Sequence, residues 1–416
     1  MAKFISNIKY PYENSWDKTN TNVTFEIEKV NLSFVNALRR ECITNVSTFG
    51  FRTEPYEKNN VEIITNDTSL NNQIICHRIG MIPLNITDED FNIEDYEFIL
   101  DAKNDTNFPK WIKSNDFKIK QISTDTFLDK KEVEKIFPKD AITGDYIIIS
   151  KLKPCYNIIN YKLNSYKDEL INKQGKVYQL HLKAKAVLSN GAENSRFSPT
   201  TTIAHSFKVD DSAAEVAKKH YIKQEINDMK AKGLKLRTEK ELGTFFDTTH
   251  KERYFLKNEE GEPIHFIFSI ESIGVIPPLI IFYRSIKCLI NRLEKFIINL
   301  KSKNDNVIII EPSPNLADGY KLIVHNENDT LGNLLSEYMY EKYCVGEEPD
   351  INIIGYKKIH PLDEKIFFNL NSNKYKSWEE LNSLFVEASQ DIIKTLKKLQ
   401  SELENIKDFI KELKSL

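Results

Sequence analysis

Residues 21–29 alternate apolar and polar side chains, the period of a half-buried strand. A helix is predicted from about Ser33, because Phe34, Ala37, Leu38 and Cys42 recur at i, i+3, i+4 and i+8 and leave Arg39, Arg40 and Glu41 largely off the stripe. From about 51 to 204 the texture changes to short β-like runs between Asn/Asp-rich turns, among them 61–65, 146–150 and 178–188, which predicts a separate, mostly β domain. Residues 210–245 turn helical and strongly charged, the pattern of a solvated excursion rather than a nucleic-acid arm. A strand over His265–Ser272, a turn at Gly274 with Pro277 and Pro278, and a helix from about 279 to 300 follow. In that helix Ile286, Ile290, Leu293, Ile297 and Leu300 step 4, 3, 4, 3, a heptad seam.

A short polar link ends at Asn306, and a second unit begins. It reads as strands at 307–311 and 320–325, a helix from Thr330 to about 343, strands at 351–355 and 365–370, and a last helix from about Ser377. There Ile392, Leu396, Leu399, Leu403, Ile406, Ile410 and Leu413 continue the heptad step, implying one helix on the order of 55 Å long. Each unit thus closes with a heptad helix, and the economical expectation is that the two pack on each other. The alternative is that each seam covers its own sheet.

Composition narrows the picture. The 416 residues are 40% hydrophobic, enough for two or three packed domains. Lys+Arg (58) against Asp+Glu (61) gives a net charge of −3, no global grip on nucleic acid, so any DNA contact is expected through a larger complex. The five cysteines (Cys42, Cys76, Cys155, Cys288, Cys344) are scattered, without CxxC pairs, which argues against zinc ribbons, iron–sulfur clusters and disulfides and for a reducing, intracellular setting. The start lacks the apolar core of a secretory signal, and no run approaches the roughly 20 apolar residues of a bilayer crossing. Sequons at Asn22, Asn31, Asn45 and Asn66 are read as unglycosylated in so Asn-rich a chain.

Catalytic signatures are missing: there is no GxGxxG after a strand, no GxxxxGK[ST], no HExxH, no GxSxG and no close aspartate run. No catalytic residue, metal ligand or cofactor is therefore assigned. Cys76 and His77 are neighbours, but on a strand they would face opposite sides and share no metal. An enzyme with a dispersed active site would need convergent acid–base groups. A free-standing nucleic-acid-binding dimer stays open as a third class, with steep salt dependence as its mark.

Two ordered sets of motifs bring a family into view. Asn36-Ala-Leu-Arg-Arg40, His77-Arg-Ile-Gly80-Met-Ile-Pro83-Leu84, the runs at 148–154 and 183–188, Arg196-Phe-Ser-Pro199 and the run at 266–274 together resemble the alpha-like assembly subunits of multisubunit DNA-directed RNA polymerases. These are the third subunit of the eukaryotic enzyme, its archaeal counterpart and the bacterial alpha N-terminal domain. Asp329-Thr-Leu-Gly-Asn333-Leu-Leu and Gly355-Tyr-Lys-Lys-Ile-His360-Pro361-Leu are similar to the partner of that subunit, the eukaryotic eleventh or its archaeal counterpart. The chain thus looks like both partners fused, and with its AT-rich style of composition it looks most like a protein of a large nucleocytoplasmic DNA virus, acting in a viral factory or host cytoplasm, in the virion or in the host nucleus.

The resemblance implies an α+β fold. A split dimerisation domain would occupy 1–50 and 205–300, with the excursion at 210–245, a mostly β domain would be inserted at 51–204, and a smaller dimerisation domain at 306–416 would end in a long helix. Pairing would run through Phe34, Ala37, Leu38, Leu293, Ile297, Leu331, Leu334, Leu335, Leu396 and Leu399. Arg39, Arg40, His77 and Arg78 are candidates for contact with the large subunit, or for internal salt bridges, Arg78 with Glu271. Implied partners are the second-largest and largest polymerase subunits and small assembly subunits, with no membrane. Asp329 or Thr330 would cap its helix, and Gly332 would permit close helix–helix approach. Two departures stand out. Residues 85–140 hold no cysteine where some relatives carry a metal loop, and Asn328-Asp329 replaces an acidic residue and a histidine.

Overall fold

The computed structural model describes residues 3–11, 20–155, 158–161, 170–173, 176–233, 237–302, 307–314, 316, 319–372, 374–375 and 377–414. Among these the α-helices are α1 (Leu32–Thr44), α2 (Asn72–Gly80), α3 (Lys130–Ile136), α4 (Asp211–Ala231), α5 (Glu239–Thr249), α6 (Pro278–Ser302), α7 (Asp329–Met339), α8 (Trp378–Glu404) and α9 (Lys407–Leu413).

The first unit is built on an antiparallel sheet in the spatial order Ile5–Lys9, Asn22–Glu28, His265–Ser272, Thr200–Phe207. Val23, Phe25 and Ile27 alternate with polar residues and meet Phe266, Phe268 and Ile270 on the inner face. α1 leaves the second strand with Asn31 as its cap, the side chain accepting from the Phe34 amide at 3.0 Å. The second unit repeats this: Ile308–Pro312, Gly319–His325, Lys365–Asn371 and Ile353–Lys357 stand side by side in that order. In both units the strands run first, second, fourth, third across the sheet, a helix follows the second strand, and a long helix follows the fourth. The fold is α+β, two units of one topology.

The first unit carries two additions. Between α1 and its third strand lies a mostly β region with its own core, in which Phe51, Phe98, Phe117 and Phe137 pack ring against ring. Its five-stranded sheet holds Val61–Asn66, Tyr178–Ala184, Tyr96–Asn104, Phe117–Gln121 and Thr126–Phe127. The edges of this region differ from 51 and 204. Ser47–Phe51 pairs with Ala186–Asn190, and Thr200–Phe207 lies in the first unit's sheet. The apolar run at 178–188 is thus two strands in two sheets. The other addition is the hairpin of α4 and α5, between the third and fourth strands.

The predicted single C-terminal helix is two. α8 stops at Glu404, Ile406 is extended (φ −82°, ψ 131°), and α9 restarts on a rotated face. Phe409 and Glu412 are buried there, while Ile410 and Leu413 are 38% and 52% exposed. The heptad count continues through the break, so the interruption is imposed by packing and not by a helix breaker; α8 alone is about 40 Å long.

Candidate functional site

The two units share one continuous apolar core. α1 and α7 run antiparallel across it. At one end the Arg40 guanidinium donates Nε–H to the Thr330 hydroxyl at 2.8 Å, linking residues 290 apart in sequence; at the other the Asn31 amide donates to Glu341 at 3.2 Å. Phe34, Ala37 and Leu38 on α1 and Leu331, Leu334 and Leu335 on α7 are all buried. α6 and α8 form a second antiparallel pair, in which Leu293, Ile297, Leu396 and Leu399 are buried and the Phe296 and Phe385 rings meet edge to face at 6.4 Å. The ends of this pair are tied by Asn382 donating to the Leu300 carbonyl at 3.4 Å and Tyr283 donating to Glu404 at 2.7 Å.

The centre of the junction is charged. Arg292 of α6 lies 2.6 Å from the Glu41 carboxylate of α1 and 2.5 Å from that of Glu327, and donates to the Asn328 side chain at 2.8 Å. Glu41 is 1% exposed, although the stripe rule set it on the outer side of α1. Burial alone would lower the Arg292 pKa; the Glu327 and Glu41 carboxylates outweigh it and raise it. Burial also pushes Glu327 up, against the attraction of Arg292, because one guanidinium faces two carboxylates. Sequence reasoning missed this triad. Its one signal is Arg292 itself, a charge between the buried Leu289 and Phe296.

Asn328, and not Asp329 or Thr330, caps α7, accepting from the Thr330 amide at 3.0 Å. Thr330 is buried and serves Arg40 instead. Gly332 admits an aromatic ring from the sheet rather than a second helix: a Cβ there would lie 2.5 Å from Cδ2 of Tyr356. Two C-terminal carboxylates hold the beginning of the chain. Glu402 accepts from the Phe4 and Ile5 amides at 2.8 and 3.1 Å, and Glu412 from the Tyr10 hydroxyl at 2.8 Å and the Leu279 amide at 2.9 Å. Burial raises the Glu412 pKa to about 7, against these hydrogen bonds.

The remaining candidates lie apart from the junction. Arg39 is half-buried and donates to Asn36 at 3.0 Å. Cys76 and His77 sit on α2, not on a strand, with Cys76 half-buried and His77 exposed. Arg78 is exposed and donates to the Ile148 carbonyl at 2.9 Å, not to Glu271. With Ile74 and Met81, 45% and 58% exposed, His77 and Arg78 form the outward row of α2. Among the described residues, Glu26, Glu28 and His265 have ligand-type atoms within 4.8 Å of one another, but the Lys208 ammonium, 2.6 Å from Glu26, already supplies the positive charge there. No helix is long and apolar enough to cross a membrane among the described residues.

Comparison with known proteins agrees with this architecture. One model of the RNA polymerase Rpb3/Rpb11 dimerisation domain matches residues 24–293 and a second matches 320–407. The chain is 38% identical over 80 residues to DNA-directed RNA polymerase subunit Rpo3 of Pyrococcus horikoshii, covering 19% of this chain and 28% of that protein. It is 25% identical over 191 residues to subunit Rpo3 of Methanothermobacter thermautotrophicus, covering 46% and 60%. With the DNA-directed RNA polymerases I and III subunit rpac1 of Dictyostelium discoideum the identity is 26% over 306 residues, 70% of this chain and 81% of the relative. The match thus spans under two thirds of either archaeal relative. The chain belongs to the family of the RNA polymerase Rpb3/Rpb11 dimerisation domain and carries that domain twice, the first copy interrupted by a β-rich region and a helical hairpin.

Proposed function

We propose that this chain is a non-catalytic assembly subunit of a DNA-directed RNA polymerase, in which the two dimerisation units form a platform that docks the second-largest subunit and, through it, the largest. The observation that carries this reading is the junction: two units of one topology share a core through α1 against α7 and α6 against α8. Covalent linkage makes that pairing intramolecular, with an effective concentration on the order of millimolar or higher. The outward row of α2, with the Arg78 guanidinium and two exposed apolar side chains, is the candidate docking surface. Small assembly subunits would join the same platform, and DNA would be reached through the whole complex. Affinity purification of the tagged chain from its native source, followed by mass spectrometry, tests the reading. Two co-purifying chains of polymerase large-subunit size are expected, and recovery of the chain without them refutes it.

A further inference from the structure

The hairpin of α4 and α5 is unused by the junction. α4 runs for 21 residues and buries only Ala214, and the second unit joins its own third and fourth strands by the short link 358–364. Its side chains are nonetheless sorted. Lys219, Lys223 and Lys230 are exposed and, four and seven residues apart, fall on one side of the helix. Lys223 and Lys230 have no carboxylate partner among the described residues, and Lys219 has a loose one, Glu215 at 3.9 Å. Lys232 and Arg237 extend the positive charge around the tip.

Beside this row, residues 216, 220 and 224 line a groove of about 740 Å³. Its wall is aromatic: Tyr221 and His250 have ring centroids 5.2 Å apart, Tyr221 and Phe246 5.6 Å, and Phe246 and Tyr254 5.8 Å. His220 and Gln224 add polar edges, and no carboxylate lines the groove among the described residues.

We propose that the hairpin binds single-stranded nucleic acid, with backbone phosphates along Lys219, Lys223 and Lys230 and an unstacked base against Tyr254 in the groove. A row of cations beside an exposed ring, here Tyr254 at 36% exposure, is what a single strand uses: the charges hold the phosphates, and every base offers a π face. A duplex could use only the lysines, since its bases are already stacked. An acidic protein segment likewise uses the lysines but offers no base to stack on Tyr254. This departs from the sequence expectation of a merely solvated excursion and adds a contact of the chain's own to those made by the whole complex; the net of −3 hides it by averaging a local cationic row with acidic surface elsewhere.

The test uses the purified full-length chain, fluorescent single-stranded RNA and DNA oligonucleotides of mixed sequence, and matching duplexes, with anisotropy read across a salt series. Single strands are expected to bind with a log–log salt slope of about −0.7 per phosphate engaged. K219E/K223E/K230E, all at exposed positions, should weaken binding by about tenfold or more, and Tyr254→Ala should weaken single strands by about fivefold or more while leaving duplex unchanged. The proposal is overturned by wild-type affinity in the triple variant with unchanged circular dichroism, by equal effects of Tyr254→Ala on single strand and duplex, or by loss of an acidic protein partner with no oligonucleotide binding. Recovery of polymerase subunits with the triple variant is scored separately, so failure here leaves the assembly reading standing, and the converse.

Discussion

The Arg292 guanidinium lies 2.6 Å from the Glu41 carboxylate where α6, α1 and the approach to α7 converge, with Glu41 buried and the Arg292 side chain 14% exposed. Truncating Arg292 to Met leaves Glu41 and Glu327 without their cation in a low-dielectric junction. A loss of about 3–5 kcal/mol is expected, read as a lower denaturation midpoint, and adding Glu41→Leu should restore part of it. A variant as stable as wild type would show that the triad contributes nothing to holding the units together.

At Gly332 the constraint is space. Gly332→Ala places a methyl group 2.5 Å from Cδ2 of Tyr356, so ring or helix must shift. The expected cost is about 1–3 kcal/mol. In a double-mutant cycle Tyr356→Ala should absorb most of it; strict additivity of the two changes would place the strain elsewhere.

The proton on Glu412 gives the junction a pH dependence with a definite sign. The folded pKa of about 7 stands above the ordinary 4.5, so the folded chain holds the proton more tightly than the unfolded one. The contribution of this group is fully present below pH 4.5, declines between 4.5 and 7 and is gone above, on the order of 3 kcal/mol across that window. Glu412→Gln keeps an acceptor for the Leu279 amide and a donor toward Tyr10. Urea midpoints of wild type and variant should therefore agree near pH 5 and separate near pH 8, with the variant the more stable. Parallel curves across that range would contradict the shift.

If the α6 and α8 seams bind the halves to each other, a protease site placed in the link at 303–306 should leave wild-type halves associated after cleavage. Leu399→Asp or Leu293→Asp buries a charge in that seam, a change expected to cost more than about 4 kcal/mol, and the cleaved halves should part on size exclusion. Association that survives both charges means that the mutual seam is not what joins them.

Leu38 is 0% exposed in the core that the two units share. Leu38→Asp should prevent recovery of assembled polymerase from cells that express the variant, and normal assembly would remove the basis for the proposed role.

Much of this was legible in the sequence because periodicity reports burial. The alternation at 21–29, the stripe of α1 and the leucines of α7 each point one face at a core, and those faces are buried. Other features leave no periodic trace. Glu41 looks like an outer-face charge until Arg292, 251 residues away, is brought beside it. The end of α8 passes unnoticed because Asn405 and Ile406 neither break the heptad step nor carry Pro or Gly; the burial of Phe409 and Glu412 sets it. The segment 178–188 reads as one strand because a change of sheet between Ala184 and Ala186 alters partners, not polarity. The groove of the α4–α5 hairpin was hidden for a related reason: its rings come from segments on both sides of the turn, and only folding sets them against one lysine row.

The hydrogen bonds from the Phe4 amide to Glu402 span 398 residues. During synthesis the first strand and the apolar seam of α6 leave the ribosome well before the helix that covers them. At roughly 5–20 residues per second, the hundred residues between Ser302 and Glu402 take about 5–20 s to appear. For that interval the nascent chain presents an uncovered core and an unfinished sheet edge, so any need for chaperones is concentrated in the time when residues 303–402, its own partner, are still being made.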